Sequence, residues 1–274
     1  MKRVAISLVL LLVACKTAPE VVADVPPPTL PQEDFAVVTQ SLTSVDVKYT
    51  GTVLAAGEAV TIEKAAWEFV VDGAVKRSGD AAINVSAQPG AEAKFELTES
   101  LIYVKDEAEL KEMDVRGGSL LLALRGTLFV KAGSKTWELP FARSREVRTP
   151  RLPHLKMIEF EAGRFSDVEV QATFHLGVVN PNPFQVSLSG LDYAVTLSGK
   201  QVTKGTLGAG ERVSPASTGV FDVTATLNEE SHGKEAAKIV KGRVVPYVLS
   251  GTLRAPLYEE PLESQGEIKL TASK

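Results

Sequence analysis

The stretch Gly177–Gly205, GVVNPNPFQVSLSGLDYAVTLSGKQVTKG, decides how the rest of the chain is read. It opens as the end of an alternating strand and breaks at Asn180-Pro181-Asn182-Pro183. Alternation resumes from Phe184, and the chain turns back at Ser198-Gly199. Two Asn-Pro steps cannot lie inside a central strand, because proline donates no ladder hydrogen bond. They fit where a chain leaves one sheet and enters another. A break of this kind followed by a hairpin points to a β-sandwich.

The same alternation runs outward in both directions. Val168 to Val178 alternates before the break, and Leu191 to Leu197 follows it. Phe221 to Leu227, Val245 to Leu253 and Ile268 to Leu270 come later. Six or seven short strands in about 110 residues is the scale of an immunoglobulin-like sandwich. The N-terminal half has matching segments: Val45 to Tyr49, Trp67 to Val71, Ile83 to Val85, Phe95 to Leu97, Leu120 to Val130 and Trp137 to Phe141. Asp72-Gly73 supplies a type I′ hairpin turn there, since both residue types tolerate positive φ.

Three features recur in order. Val45-Asp46-Val47 matches Val168-Glu169-Val170, and Trp67, Gly73 and Gly79 match Tyr193, Gly199 and Gly205. Gly126-Thr127-Leu128 matches Gly251-Thr252-Leu253, and the offset drifts only from 123 to 126 and back to 125. This predicts two copies of one domain. The expected organisation is all-β, with two tandem immunoglobulin- or fibronectin-III-like sandwiches over 35–149 and 154–274. The boundary falls in Thr149-Pro150-Arg151-Leu152-Pro153. Each half is expected to carry one short helix. The first is capped by Asp106 with Glu109 three residues on and stopped at Gly117-Gly118. The second starts near Asn228 or Ser231 and runs to Gly242, with Gly233 an awkward interior residue.

The first fourteen residues read as a signal peptide. Lys2 and Arg3 precede an apolar run from Ala5 to Val13, far short of the ~20 residues that span a bilayer. The run ends in Leu12-Val13-Ala14-Cys15, which resembles the lipobox of bacterial lipoproteins. That resemblance implies cleavage between Ala14 and Cys15 and lipidation of Cys15. Cys15 is the only cysteine, so no intrachain disulfide or thiolate cluster is expected. Lys16 follows it, and by a sorting rule of two-membrane bacteria the absence of aspartate there favours the outer membrane. Residues 15–34 carry Pro19, Pro26, Pro27, Pro28 and Pro31 and read as an extended tether. Net charge is −4 with both signs scattered, which leaves no basic footprint for nucleic acid.

The second half resembles the late embryogenesis abundant type 2 family, also called the water stress and hypersensitive response domain. The match rests on Asn180-Pro181-Asn182-Pro183-Phe184, Leu191-Asp192-Tyr193, the Ser198-Gly199-Lys200 turn and Gly205. Val245-Pro246-Tyr247, Ser250-Gly251-Thr252-Leu253 and Gly266-Glu267-Ile268-Lys269-Leu270 continue it. The first half departs, with Leu54-Ala55-Ala56-Gly57-Glu58 where the Asn-Pro repeat belongs, and reads as a degenerate copy. The resemblance implies a folded, non-enzymatic sandwich associated with desiccation and other stress, and it carries over no ligand-binding residues.

Motifs for chemistry are absent from the sequence. His154, His175 and His232 show no H-x-x-x-H or H-E-x-x-H spacing, so no metal is expected. No G-x-S-x-G elbow or phosphate-binding loop occurs, and Glu229-Glu230 and Glu259-Glu260 read as solvated surface. No cofactor and no catalytic residue is therefore expected. The reading is an anchored envelope module for stress protection or protein interaction, with membrane contact through the lipid and an envelope protein or lipid as partner. The alternative is a carrier for a hydrophobic or lipidic ligand. Oligomeric state is not legible.

Overall fold

The computed structural model describes residues 26–269. In its first half, β1 (Thr29–Gln40), β2 (Ser44–Leu54), β3 (Val60–Val71), β4 (Ala74–Ala87) and β5 (Glu92–Ile102) lead to helix α1 (Glu107–Arg116). β6 (Ser119–Ala132) and β7 (Lys135–Arg148) complete it. The second half begins with β8 (His154–Phe165), β9 (Val170–Asn180), the short β10 (Val186–Ser187), β11 (Gly190–Leu197) and β12 (Lys200–Leu207). It continues with β13 (Arg212–Val213), β14 (Ser217–Leu227), α2 (Glu229–His232), a 3-10 turn over Gly233–Glu235, α3 (Ala236–Lys241), β15 (Val244–Ala255) and β16 (Tyr258–Lys269).

The two halves repeat one topology. A three-stranded antiparallel sheet β1-β2-β5 faces a four-stranded sheet β4-β3-β6-β7; in the second half β8-β9-β14 faces β12-β11-β15-β16. Asp72-Gly73 (φ 49° and 85°) and Ser198-Gly199 (φ 47° and 81°) close the matching hairpins β3–β4 and β11–β12. Positive φ at both central residues gives the backbone twist that flanking strands require. The cores alternate inward as expected: Val45, Val47, Tyr49 and Val53 on β2, and Val170, Ala172, Phe174, Leu176 and Val178 on β9. Tyr49 meets Phe141 across the first sandwich at 4.8 Å between ring centroids, and Phe174 meets Tyr247 edge-on at 5.2 Å in the second.

The recurring aromatic-to-glycine spacing has a steric cause. Trp67 pairs with Gly79 on one side and Gly126 on the other; Tyr193 pairs with Gly205 and Gly251. The rings lie over their hairpin glycines, where a Cβ at Gly79 would stand 2.8 Å from Trp67 Cζ2 and one at Gly205 2.8 Å from the Tyr193 hydroxyl. A bulky ring on one strand and no side chain on the next is how the sheet accommodates it.

Several details differ from the expectations. Strand β1 begins at Thr29, so 29–34 belongs to the sandwich and not to a tether. Pro28 is already buried, and Pro31 sits at a register irregularity between Thr29 and Gln32 on an edge strand, where a missing donor is tolerated. Val168 lies before β9 and is exposed; the ladder pairs Val45 with Leu101 and Val170 with Leu227, so the first-strand match is offset by 125 residues. Helix α1 is capped as expected, with Asp106 accepting from the Glu109 N–H at 2.9 Å and Gly117 at φ 61°. Its counterpart is three short pieces, because Gly233 (φ 63°) interrupts it after a capping box of Asn228 and Ser231.

Candidate functional site

The Asn-Pro repeat marks the passage of the chain from the end of β9 to the start of β11, from one sheet to the other. Its residues alternate: Pro181 and Pro183 are exposed, while Asn182 and Phe184 are buried. Asn180 and Asn182 are 1% and 0% exposed, and buried amides are costly unless every polar atom is paired. Here they are paired. Asn180 Nδ2 donates toward the carbonyls of Phe184 (2.7 Å), Ser214 (3.0 Å) and Val213 (3.2 Å). Asn180 Oδ1 accepts from the backbone and side-chain N–H groups of Asn182, both at 2.9 Å.

Asn182 then reaches out of its own sandwich. Its Oδ1 accepts the Arg151 N–H at 2.7 Å, and its Nδ2 donates to the Arg151 carbonyl at 2.8 Å. A side-chain amide thus does for Arg151 what a neighbouring strand would do. Helix α1 grips the same linker from the first half. Asp114 Oδ1 accepts from Arg151 Nε (2.7 Å) and from the Leu152 N–H (3.1 Å), while the Thr149 N–H and Oγ1 donate to the Gly118 and Gly117 carbonyls. Every N–H from Thr149 to Leu152 is therefore bonded, Pro150 having none. The Leu155 N–H continues the series to Glu260 Oε2 at 2.7 Å. Glu260 is thereby a structural acceptor and not free surface. Tyr258 lies close enough to sense the first half. Burial, then Glu260, Asp114 and Glu107, push its phenol up to about 12. A boundary that reads as a proline-broken linker is a bonded joint.

The remaining motif residues have structural placements. Asp192 Oδ1 accepts from Thr206 Oγ1 (2.6 Å) and Arg254 Nη2 (2.8 Å), bracing β11 against both neighbours. Tyr193 is half-buried over Gly205, and Gly199 closes the hairpin. Ala14 and Cys15 lie outside the described residues.

One ionisable group stands apart on the outer face of β8-β9-β14. His175 on central β9 is flanked in register by Glu159 on β8 and Asp222 on β14, with Glu161 two residues along the edge. Its Nδ1 lies 2.7 Å from Asp222 Oδ1. That hydrogen bond raises the imidazole pKa above its ordinary value against a smaller effect of burial, and the charges of Asp222, Glu161 and Glu159 act the same way. His232 is used structurally, between the Leu197 carbonyl (2.8 Å) and Ser231, and His154 stands 3.7 Å from Glu260. The larger concavities among the described residues are open grooves at Gly51 on β2 and at Gly205 and Gly251 beside Tyr193, with charged and polar rims.

Sequence reasoning treated the Asn-Pro repeat as a marker of family and register and missed the reach of Asn182 across the joint. The available signal was an amide at an inward-alternating position between exposed prolines. It also left Glu159, Glu161 and His175 apart, because zinc motifs on helices have fixed local spacing and a cross-strand group has none.

Residues 175–259 match the family model described as late embryogenesis abundant protein. The matched segment starts within β9 and runs into β16, so it covers the Asn-Pro passage and the hairpin. The chain matches none of the curated proteins. Among solved structures, a crystal structure from Archaeoglobus fulgidus is 17% identical, covering 44% of this chain and 99% of its own, with a TM-score of 0.32. A solution structure from Arabidopsis thaliana is also 17% identical, covering 44% of this chain and 83% of its own, at 0.35. Red sea bream transglutaminase is 11% identical, over 89% of this chain and 31% of its own, at 0.29.

Proposed function

We propose that the chain is a non-enzymatic envelope lipoprotein. In this reading it is anchored through Cys15 and carries two late embryogenesis abundant type 2 domains, the first a degenerate copy. Its role is protection against desiccation and related stress, or protein interaction, at the cell envelope, on the outer membrane. The observation that carries the reading is the family match over 175–259 on a sandwich whose sheet order recurs in the first half. The lipobox Leu12-Val13-Ala14-Cys15 supports the anchor, since stable attachment needs about two acyl chains. The bonded joint supports a single stiff unit able to present surface from both sandwiches.

A carrier for a lipidic ligand needs an enclosed apolar cavity. The grooves at Gly51 and Gly205 are open and rimmed with charge, which favours the interaction reading.

Cys15→Ala is expected to move the protein from the membrane fraction to the soluble one, and continued sedimentation with membranes would remove the anchor from the proposal. A strain lacking the protein is expected to lose viability and envelope integrity on drying or osmotic shock. Survival equal to the parent across both stresses would sink the protective role. Native mass spectrometry of the protein showing a bound lipid would replace interaction with carriage.

A further inference from the structure

The group on the outer face of β8-β9-β14 is arranged by a defect in the sheet. Met157 pairs with Leu176 and Glu159 with His175, so Ile158 is an extra residue, a β-bulge on the edge strand. Without the bulge Glu159 would oppose Phe174 and point into the core. With it, Phe160 turns inward to Phe174 (6.3 Å) and Tyr247 (6.0 Å), while Glu159 and Glu161 stand outside beside His175. Donor atoms of Glu159, Glu161 and His175 lie within 4.8 Å of one another.

The imidazole is what separates this group from a patch of surface acids. Asp222 takes the Nδ1 side at 2.7 Å, which fixes the ring and leaves Nε2 as the other working nitrogen. That Nε2 is shielded from solvent and meets no hydrogen-bond partner. A shielded ring nitrogen with no partner has lost its water without gaining a replacement. Two carboxylates held beside it, with a third behind the ring, carry charge repulsion as well. A cation on Nε2 and the two glutamates would relieve both.

We propose that Glu159, Glu161 and His175 form a site for one divalent cation of the zinc class, with Asp222 as the positioning residue behind the imidazole. One nitrogen and two carboxylate oxygens suit Zn²⁺ at about 2.0–2.2 Å, with a fourth place for water. A carboxylate on the far ring nitrogen is the usual support of a metal-bound histidine. The ligands come from two strands and the support from a third, so the ion pins edge strand β8 to β9 at its bulge. This site is independent of the anchor and of any protective role.

The test uses the purified protein stripped with a chelator and titrated with zinc chloride at neutral pH by calorimetry. One equivalent is expected to bind and to raise Tm. The double variant Glu159→Gln/Glu161→Gln, at exposed positions that do not carry the core, is expected to lose both the heat and the Tm shift. Asp222→Asn is expected to weaken binding about 10–100-fold while keeping the stoichiometry. Absence of zinc binding by the unaltered protein overturns the proposal, as does binding that the double variant leaves unchanged. His154 and His232 are the remaining imidazoles, so zinc retained in the double variant and lost in His154→Ala or His232→Ala would place the metal elsewhere and equally overturn it. Binding of Co²⁺ with a visible absorption band that His175→Ala abolishes would support the nitrogen ligand directly.

Discussion

The two sandwiches share a frame and differ in their crossovers. In both, a type I′ hairpin and an aromatic ring laid over glycine set the four-stranded sheet. Between sheets they diverge. The first half passes from β2 to β3 through Ala55–Ala59, whereas the second takes Pro181–Ser189, with Asn182 buried within it, Asn180 buried at the end of β9 before it, and the extra pair β10–β13. The first half has a continuous helix tied to β4 through Lys76–Glu109 and to the β3–β4 turn through Arg116–Asp72, and the second has a broken one. Strand pairing therefore tolerates either crossover. The longer one and the intact helix meet at the joint, Asn182 on one side of Arg151 and Asp114 on the other.

The largest effect that would break this comparison lies in the shared frame. A Cβ at Gly126 would stand 2.0 Å from the Ala66 carbonyl oxygen, and one at Gly251 2.7 Å from that of Asp192. Backbone cannot yield as a flexible side chain does, so Gly126→Ala is expected to cost at least about 3 kcal/mol and Gly251→Ala about 1–3 kcal/mol. Urea unfolding measures both, and equal costs would mean that the two sheets are equally constrained there, against the closer approach at Gly126.

Next comes the joint. Asn182→Ala removes both partners of the partly buried Arg151 N–H and carbonyl, at about 0.5–1.5 kcal/mol for each hydrogen bond. Amide hydrogen exchange at Arg151 is expected to accelerate while that of β2 stays unchanged; protection retained at Arg151 would show that the linker does not depend on the amide.

Smaller still are the caps. Asp106→Ala and Asn228→Ala each remove a side-chain acceptor at a helix start, typically about 1 kcal/mol. The larger loss is expected at Asp106, because α1 also supplies Asp114 to the joint. Denaturation midpoints of the two variants give the order.

The smallest effect is with pH. Burial raises the Glu109 carboxyl, but its bonds from Lys76 and the Lys105 N–H outweigh this and hold it below the ordinary value. A depressed carboxyl contributes stability that is present above its unfolded pKa and is lost as pH falls through the folded one. Lys76→Met is therefore expected to lower stability at pH 7 and to converge with the unaltered protein under acid. A difference that stays constant from pH 7 to 3 would exclude the ion pair as its source.

Much of this was legible in the chain itself. Alternating apolar residues announced the inner strands, and Asp72-Gly73 and Asp106 with Glu109 announced a turn and a cap, because each rests on local chemistry. Strands β1 and β8 were not legible. Both are edge strands with register shifts, at Thr29/Gln32 and Val37/Thr39 in one and Met157/Glu159 and Ala162/Phe165 in the other. A bulge flips the inward phase, so Leu155 and Phe160 both serve the core from positions that no single alternation connects. The joint and the His175 group were hidden for a related reason. Arg151 lies 31 residues from Asn182, and His175 lies 47 from Asp222; register and tertiary packing alone bring them together.

The edge strand β1 has a mechanical consequence. It runs from Thr29 to Gln40, where the Gln40 side chain bonds the Arg148 carbonyl, so β1 and β7 finish at the same end of the first sandwich. The chain thus comes in at one end and goes out at the other, about 36 Å apart at ~3.3 Å per residue. Tension between a point upstream of Thr29 and the second sandwich drags β1 lengthwise along β2 and β7. The β1–β2 bonds and the Arg143–Glu33 pair then share the load together instead of opening one after another. Pulled this way, the first sandwich resists like a seam sheared along its length, and the second is held out at the far end of it.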